Sequence, residues 1–191
     1  MNVGLKFFLV LMLSLVVHQG ATAQTIAKVQ SKKSRPVPHL DRNARFRGLD
    51  SAAPIRLADY QDKVIVLALW ASWCAPCQEV LYKLADLNKE LATSGVVIIA
   101  LSIENQQTAN MEVRRFVDRL LPEYKVGWIS TISADKLMNG SDAVPQIFVI
   151  RRGVVLKSFV GWDPTKTIIE LRQALADAEK DAQDKVIREE P

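Results

Sequence analysis

Cysteine and histidine are scarce in this chain, and their scarcity limits the metal sites that it can build. Its 191 residues include two cysteines, Cys74 and Cys77, and two histidines, His18 and His39. A closed structural zinc site takes four ligands, most often from Cys and His. Because His18 lies in a segment that we expect to be removed and His39 in a polar linker, we disfavour zinc and predict no metal site.

The chain also lacks a strong excess of charge of either sign. It carries 25 lysines and arginines against 21 acidic residues, a formal net charge of +4. Its basic residues are scattered except for Lys32–Arg35, so the charge predicts no nucleic-acid partner. With 49% hydrophobic and 24% charged residues, the composition is that of one globular domain with appendages.

No apolar run near the N-terminus is long enough to span a membrane, which takes about 20 residues. The run from Phe7 to Val17 follows Lys6 and precedes Ala21-Thr22-Ala23, the three-part form of a secretory signal. We predict a signal peptide over 1–23 and a mature chain that begins at Gln24, periplasmic or otherwise exported; an uncleaved anchor is the alternative. No cysteine follows the run, which excludes a lipid anchor at that position.

Composition divides the rest of the chain into three parts. Residues 24–42 are polar, basic and proline-bearing without a sustained period, which predicts a flexible linker. Residues 43–180 carry the strand and helix patterns and form the predicted domain. The highly charged stretch 181–191 is predicted to be a frayed tail.

A continuous apolar run leads directly into the two cysteines. Lys63–Trp70 is too continuously apolar for a half-exposed strand, which predicts a central strand with helices on both faces. After the cysteines, residues 78–91 carry apolar side chains at the spacing of one helix face. This order puts Cys74 at a helix N-terminus, where unsatisfied N–H groups favour a thiolate, and Pro76 suits the first helical turn.

Similar patterns predict the other elements of the domain. They are a short hairpin over Phe46–Leu57, a second strand parallel to the first at Val96–Leu101, and helices over Met111–Leu121 and Thr165–Glu179. Residues 123–142 are harder to assign; we interpret them as a strand at Trp128–Ile132 and a helical turn at Asp135–Met138. Ligand sites in open α/β sheets lie beyond strand carboxyl ends, so Ser102–Asn105 should lie near the same edge as Cys74.

Two cysteines separated by two residues are open to two interpretations besides zinc. A structural disulfide that closes so short a loop would constrain the unfolded chain very little. A redox pair is typical of this spacing beside a strand-helix-strand pattern.

Two motifs carry a resemblance to a known superfamily. Trp70-Ala-Ser-Trp-Cys-Ala-Pro-Cys77 resembles the active-site signature of the thioredoxin superfamily. Ala143–Ile150, the turn Arg152-Gly153 and then Gly161 resemble its cis-proline strand, the hairpin and the glycine that follows. Over about residues 45 to 180, the chain looks most like the TlpA-type thiol:disulfide oxidoreductases of this superfamily.

The resemblance implies a fold, a site and a reaction. The fold is a thioredoxin-like α/β fold with a central mixed β-sheet flanked by helices. Cys74 is the nucleophile that attacks a substrate disulfide, and Cys77 is the resolving thiol, with no cofactor implied. Pro145, in a cis peptide bond, lies against the pair and leaves backbone groups of Val144 to hold an extended substrate segment, with Trp73 at the rim of the groove.

The implied partners are protein disulfides, with apocytochrome c among the candidates, and a membrane thiol donor. Ala75-Pro76, between the cysteines, offers no cation to stabilise a thiolate, as a strong oxidant would need, so we predict a reductant. Two alternatives from another class stay open. One is a copper(I) carrier that uses the soft thiolates, and the other is a chaperone-like module without redox turnover that uses the groove around Pro145.

The chain departs from the superfamily pattern at two positions. Thioredoxins carry a buried acid where this chain has Ala68, and TlpA-like reductases carry a glutamate where it has Val80. Glu79 stands one place early, and a shift of one residue turns a helical side chain by about 100°, so we expect it on the surface. Cys77 then has no obvious base, and burial should hold its pKa above that of Cys74.

Overall fold

The structure, a computed structural model, describes residues 39–49 and 53–189, with side-chain surroundings described as far as Asp181. All of these residues belong to one unit, Val37–Pro191. The predicted signal peptide and most of the predicted linker lie outside the described residues. Within the described part of the chain, no helix is both long and apolar enough to cross a membrane.

A seven-stranded mixed sheet organises the domain, in the order β2-β1-β5-β4-β3-β6-β7. The strands are β1 Arg45–Gly48, β2 Ile55–Arg56, β3 Val64–Trp70, β4 Val96–Ser102, β5 Lys125–Trp128, β6 Gln146–Arg151 and β7 Val154–Val160. The helices are α1 Ala75–Glu90, α2 Gln106–Leu120, α3 Thr131–Met138 and α4 Lys166–Glu189, with a 3-10 turn at Leu57–Tyr60. Strand β3 runs parallel to β4 and antiparallel to β6, so the predicted mixed α/β sheet is confirmed.

Strand β3 is buried on both faces, as its continuous apolar run predicts. All seven of its residues are buried. Successive side chains of a strand point to opposite faces, and those of β3 divide between two cores accordingly. Val64, Val66, Ala68 and Trp70 join the core covered by α1, α2 and α4. Ile65, Leu67 and Leu69 join the core covered by α3 and the 3-10 turn.

Several element boundaries differ from their predictions. Helix α2 begins at Gln106, five residues before the predicted start, because the side chain of Asn105 accepts a hydrogen bond from the backbone N–H of Gln107 at 2.8 Å and caps a polar first turn. The predicted strand at Trp128–Ile132 is wrong, since β5 ends at Trp128 and Ser130 caps α3. Helix α4 continues to Glu189, into the predicted tail.

The start of the domain also differs from its prediction. His39 forms a β-bridge with Val154, and the backbone N–H of Leu40 donates to the carbonyl of Gly153 at 3.0 Å. The side chain of Leu40 is 8% exposed and joins the second core. Residues 39–42 therefore contact the β6–β7 hairpin rather than forming the end of a flexible linker. One apolar side chain in a polar stretch gives no periodic signal by which sequence could show this contact.

The contact between residues 39–42 and the hairpin predicts unequal costs for two glycine substitutions. Gly153 and Gly140 both have positive φ, at 80° and 77°, so alanine at either position costs about 1–2 kcal/mol of backbone strain. A Cβ at Gly153 would also lie 2.7 Å from the carbonyl oxygen of Leu40, whereas one at Gly140 meets nothing within 4 Å. We expect G153A to lose at least about 1 kcal/mol more unfolding free energy than G140A, measured by urea denaturation of the oxidised protein. Equal losses would show that Leu40 does not lie against the hairpin.

Candidate active site

The two cysteines lie where β3 ends and α1 begins, as predicted. Cys74 is the N-cap residue of α1, and its Sγ accepts the backbone N–H of Cys77 at 3.2 Å. Pro76 stands in the first turn, where its missing N–H leaves no carbonyl unpaired. The turn forms where the continuous apolar run ends, at Ser72, and Pro76 favours the first turn of a helix.

Cys74 and Cys77 form a disulfide. Cys74 is 5% exposed and Cys77 is fully buried in the core beneath α1. Solvent therefore reaches the pair through Cys74. This is expected, because Cys74 caps the helix and Cys77 lies one turn further along it. When the pair is reduced, the N–H of Cys77 and the helix N-terminus both favour negative charge on Cys74.

The loop before β6 lies against the cysteine pair. The peptide bond between Val144 and Pro145 is cis, as predicted, and the carbonyl oxygen of Val144 lies 3.7 Å from the Sγ of Cys74. The loop is tied down on both sides: Gly161 donates its N–H to the carbonyl of Pro145 at 2.9 Å, and Gln146 donates its side-chain amide to Ala143 at 2.8 Å. The predicted substrate-binding residues Val144 and Pro145 are thus beside the predicted nucleophile; their role in binding stays a prediction.

The tryptophans near the site divide into exposed and buried ones. Trp73, directly before Cys74, is 70% exposed, so its ring is available at the surface beside the disulfide. Trp70 is fully buried and packs on Phe116 with ring centroids 5.5 Å apart. Trp73 has the exposure that a residue at the rim of a substrate groove needs, whereas Trp162 is half-buried against the core. The binding role of Trp73 is likewise still a prediction.

Apolar side chains occupy both positions where the resemblance to the superfamily implies a carboxyl group. Ala68 and Val80 are buried in the same core as Cys77. Glu79 is exposed, which agrees with the helical-phase argument. The surroundings of Cys77 therefore favour its neutral thiol, because low dielectric disfavours a thiolate.

One carboxylate at the site was not singled out from the sequence. Glu104 follows β4 and accepts two hydrogen bonds from Ser72, from the backbone N–H at 2.6 Å and from the hydroxyl at 2.8 Å. The side-chain amide of Gln78 donates to the carbonyl of Ser72 at 3.0 Å. The sequence placed Ser102–Asn105 near this edge of the sheet, but nothing local indicated that Glu104 would bind the active-site loop.

Solved structures with the same arrangement define the class of fold. A thiol:disulfide interchange protein of the thioredoxin family from Chlorobium tepidum superposes with a TM-score of 0.61 at 19% identity, covering 76% of this chain and 97% of that one. A secreted thiol-disulfide isomerase from Corynebacterium glutamicum superposes with a TM-score of 0.60 at 18% identity, covering 78% and 97%. The domain therefore has a thioredoxin-like fold.

Sequence comparison assigns the chain to a family within this class of fold. The chain belongs to the AhpC/TSA family, whose model matches residues 36–158. A thiol-disulfide oxidoreductase ResA from Oceanobacillus iheyensis is 31% identical over 70 residues, which are 37% of this chain and 33% of that protein. The chain thus matches about a third of the length of this relative. These matches confirm the thioredoxin-superfamily resemblance, and the TlpA type fits the same group.

The apolar surroundings of Cys77 predict that deprotonation limits its attack on a mixed disulfide at Cys74. We expect V80E to speed this attack about tenfold near neutral pH, if the new carboxylate reaches the thiol as a base. The measurement is rapid mixing of reduced protein with dithionitrobenzoate, in which Cys74 releases the first thionitrobenzoate and Cys77 the second. Two variants serve as controls: V80Q, which buries a polar side chain of the same size without a base, and E79Q, which should change the second phase little. A large loss of rate in E79Q would show that Glu79 assists Cys77.

Proposed function

We propose that this protein is an exported thiol:disulfide oxidoreductase that reduces protein disulfides through Cys74 and Cys77. The observation that supports it most is the position of the pair: Cys74 caps α1 beside the Val144 carbonyl, and Cys77 lies buried behind it. The AhpC/TSA match and the similarity to a thiol-disulfide oxidoreductase support the same chemistry. A short disulfide that served only to staple the loop would need neither the helix N-terminus nor the neighbouring cis-proline loop.

The reaction requires only the two cysteines and a substrate disulfide. The Cys74 thiolate attacks one substrate sulfur, a mixed disulfide forms, and the other substrate sulfur leaves as a thiolate that takes up a proton. Cys77 then loses its proton to solvent and attacks the Sγ of Cys74, which releases the second substrate thiolate. Two electrons pass to the substrate, and the protein is left with the disulfide seen in the structure.

The surroundings of Cys74 suit an extended protein substrate. Because Cys74 is only 5% exposed, a folded disulfide has little access, whereas a strand-like segment can lie across the loop at Val144 and Pro145. Backbone groups of Val144 can pair with such a segment, and the exposed ring of Trp73, the residue before Cys74, offers apolar contact. A protein that is still unfolded, such as an apocytochrome c, presents its cysteines in this form.

The sequence and one structural neighbour support the direction of the reaction and the location of the protein. Ala75-Pro76 supplies no cation next to Cys74, which favours a reductant over a strong oxidant. The predicted leader over 1–23 and a structural neighbour described as secreted support export. Disulfides persist outside the cytoplasm, and a reductant there needs a thiol donor that carries electrons across the membrane.

A trapping experiment tests the proposed reaction. A C77A variant should accumulate a mixed disulfide with extended protein substrates, since nothing resolves the bond at Cys74, while C74A should trap nothing. The wild-type protein should reduce insulin, whose separated chains then precipitate. It should also reduce the disulfide of oxidised apocytochrome c. Tight copper(I) binding without insulin reduction would favour a metal carrier. Suppression of aggregation by the C74A/C77A double variant as well as by the wild type would favour a chaperone-like module.

Export has a separate test. Expressed with its own leader in a bacterium with two membranes, the protein should be recovered in the periplasmic fraction with Gln24 as its first residue, because Ala21-Thr22-Ala23 is the small-residue cleavage site. Edman sequencing or intact mass gives the answer. Recovery with Met1 retained in the membrane fraction would favour the uncleaved anchor instead.

A further inference from the structure

Ser72, in the loop between β3 and α1, makes hydrogen bonds that tie this loop to its surroundings. Cys74 donates its N–H to the carbonyl of Ala71 at 3.2 Å inside the loop. The polar groups of Ser72 all bind beyond the loop: the N–H and the hydroxyl donate to Glu104, and the carbonyl accepts from Gln78 on α1. The position of Cys74 relative to β3 therefore depends on contacts made through Ser72.

Glu104 is itself fixed to the neighbouring strand. The hydroxyl of the buried Ser102 donates to a carboxylate oxygen of Glu104 at 3.2 Å and accepts the backbone N–H of Glu104 at 3.2 Å. Ser102 pairs with Trp70 in the parallel register, and Ile103 donates its N–H to the carbonyl of Trp70 at 3.0 Å. The carboxylate thus links the ends of two central strands to the loop that carries Cys74.

The geometry at Ser72 uses both oxygens of a carboxylate. One accepts a backbone N–H at 2.6 Å and the other accepts a hydroxyl at 2.8 Å. Hydrogen bonds to an ionised acceptor are about twice as strong as neutral ones. Glutamine keeps one acceptor oxygen for the N–H of Ser72 and can donate to its hydroxyl, whereas alanine keeps neither contact.

We propose that Glu104 is a positioning residue for the thiol-disulfide reaction: acting through Ser72, it holds Cys74 at the N-terminus of α1. The inference rests on the proposed function for its biological meaning, but its chemistry concerns the sulfur of Cys74 alone. We call the hydrogen bonds from Ser72 to Glu104 the clamp. When the clamp is lost, the Sγ of Cys74 no longer stays against the N–H of Cys77. The thiolate of Cys74 is then less stabilised, and less of it is present near neutral pH.

Comparison of E104A with E104Q separates positioning from charge. Both variants replace the carboxylate at position 104 with an uncharged side chain, so both lose its electrostatic effect on Cys74 equally. Only E104Q keeps hydrogen bonds to Ser72. In rapid mixing with dithionitrobenzoate, we expect the first phase near neutral pH to be about tenfold slower in E104A than in E104Q. The pH profile of that phase should shift to higher pH in E104A. S72A, which loses the hydroxyl contact but keeps the N–H contact, should be slower than the wild type by about threefold.

Controls keep other roles of Glu104 apart from this one. E112A removes an exposed carboxylate from α2 and should leave both phases unchanged. If E104A and E104Q slow only the second phase, and by the same factor, Glu104 is a base for Cys77 and the proposal is wrong. If E104A lowers the urea midpoint while both phases stay at the wild-type rate, Glu104 is merely structural and the proposal is equally wrong. If E104A does not fold, S72A with an unchanged first phase overturns the proposal.

Failure of this inference is distinguishable from failure of the proposed function. Dithionitrobenzoate reacts with any accessible thiolate, so the first phase reports on Cys74 whether or not the protein reduces proteins in the cell. A wild type that fails to reduce insulin would remove the proposed function and leave the comparison of E104A with E104Q intact. Insulin reduction that slows in E104A, stays near normal in E104Q and is unchanged in E112A would support both.

Discussion

The burial of β3 on both faces is the constraint on which the site depends. Its side chains alternate between two apolar cores, so the strand cannot shift its register by one residue without exchanging them all. Its parallel neighbour β4 ends at the same edge, and its antiparallel neighbour β6 begins there, with Leu69 opposite Gln146. The loop that carries Cys74, the residue Glu104 and the cis-proline loop therefore meet without any long-range contact between the loops having to form first.

The two sulfurs lie in different surroundings, and the difference matches the two steps of the proposed reaction. Cys74 lies at the edge of the core covered by α1, and its Sγ has two polar neighbours, the N–H of Cys77 and the Val144 carbonyl. Cys77 faces apolar side chains, those of Ala68 and Val80 in the same core. In the proposed reaction the first cysteine attacks as a thiolate, whereas the second has to lose a proton before it attacks. This asymmetry arises from one helical turn, because the three-residue spacing carries the chain from the surface edge of α1 into the core.

The parts of the fold and site that local sequence patterns encode could be predicted from the sequence. The parts that depend on contacts between distant residues could not. The apolar run of β3, the helix after it and the Arg152-Gly153 turn are each encoded within a few residues, and the cis-proline loop was predicted from its resemblance. The contact between Ser72 and Glu104 joins residues 32 positions apart. Leu40 meets Gly153 across more than half of the chain. Such contacts depend on which strands pair in the sheet, and no single stretch of sequence determines that pairing.

We expect the fold to tolerate reduction of the pair, because the disulfide stabilises it only about as much as one buried leucine does. A disulfide between residues three apart closes a loop for which the chain-entropy model gives about 2 kcal/mol. Full burial of one leucine contributes a similar amount, about 1.5–3 kcal/mol. The two cores contain many such side chains, and Cys77 is buried in the one covered by α1, α2 and α4. We expect reduction to change the chemistry at Cys74 while β3, α1 and the hydrogen bonds between Ser72 and Glu104 stay in place, as repeated cycling between dithiol and disulfide requires.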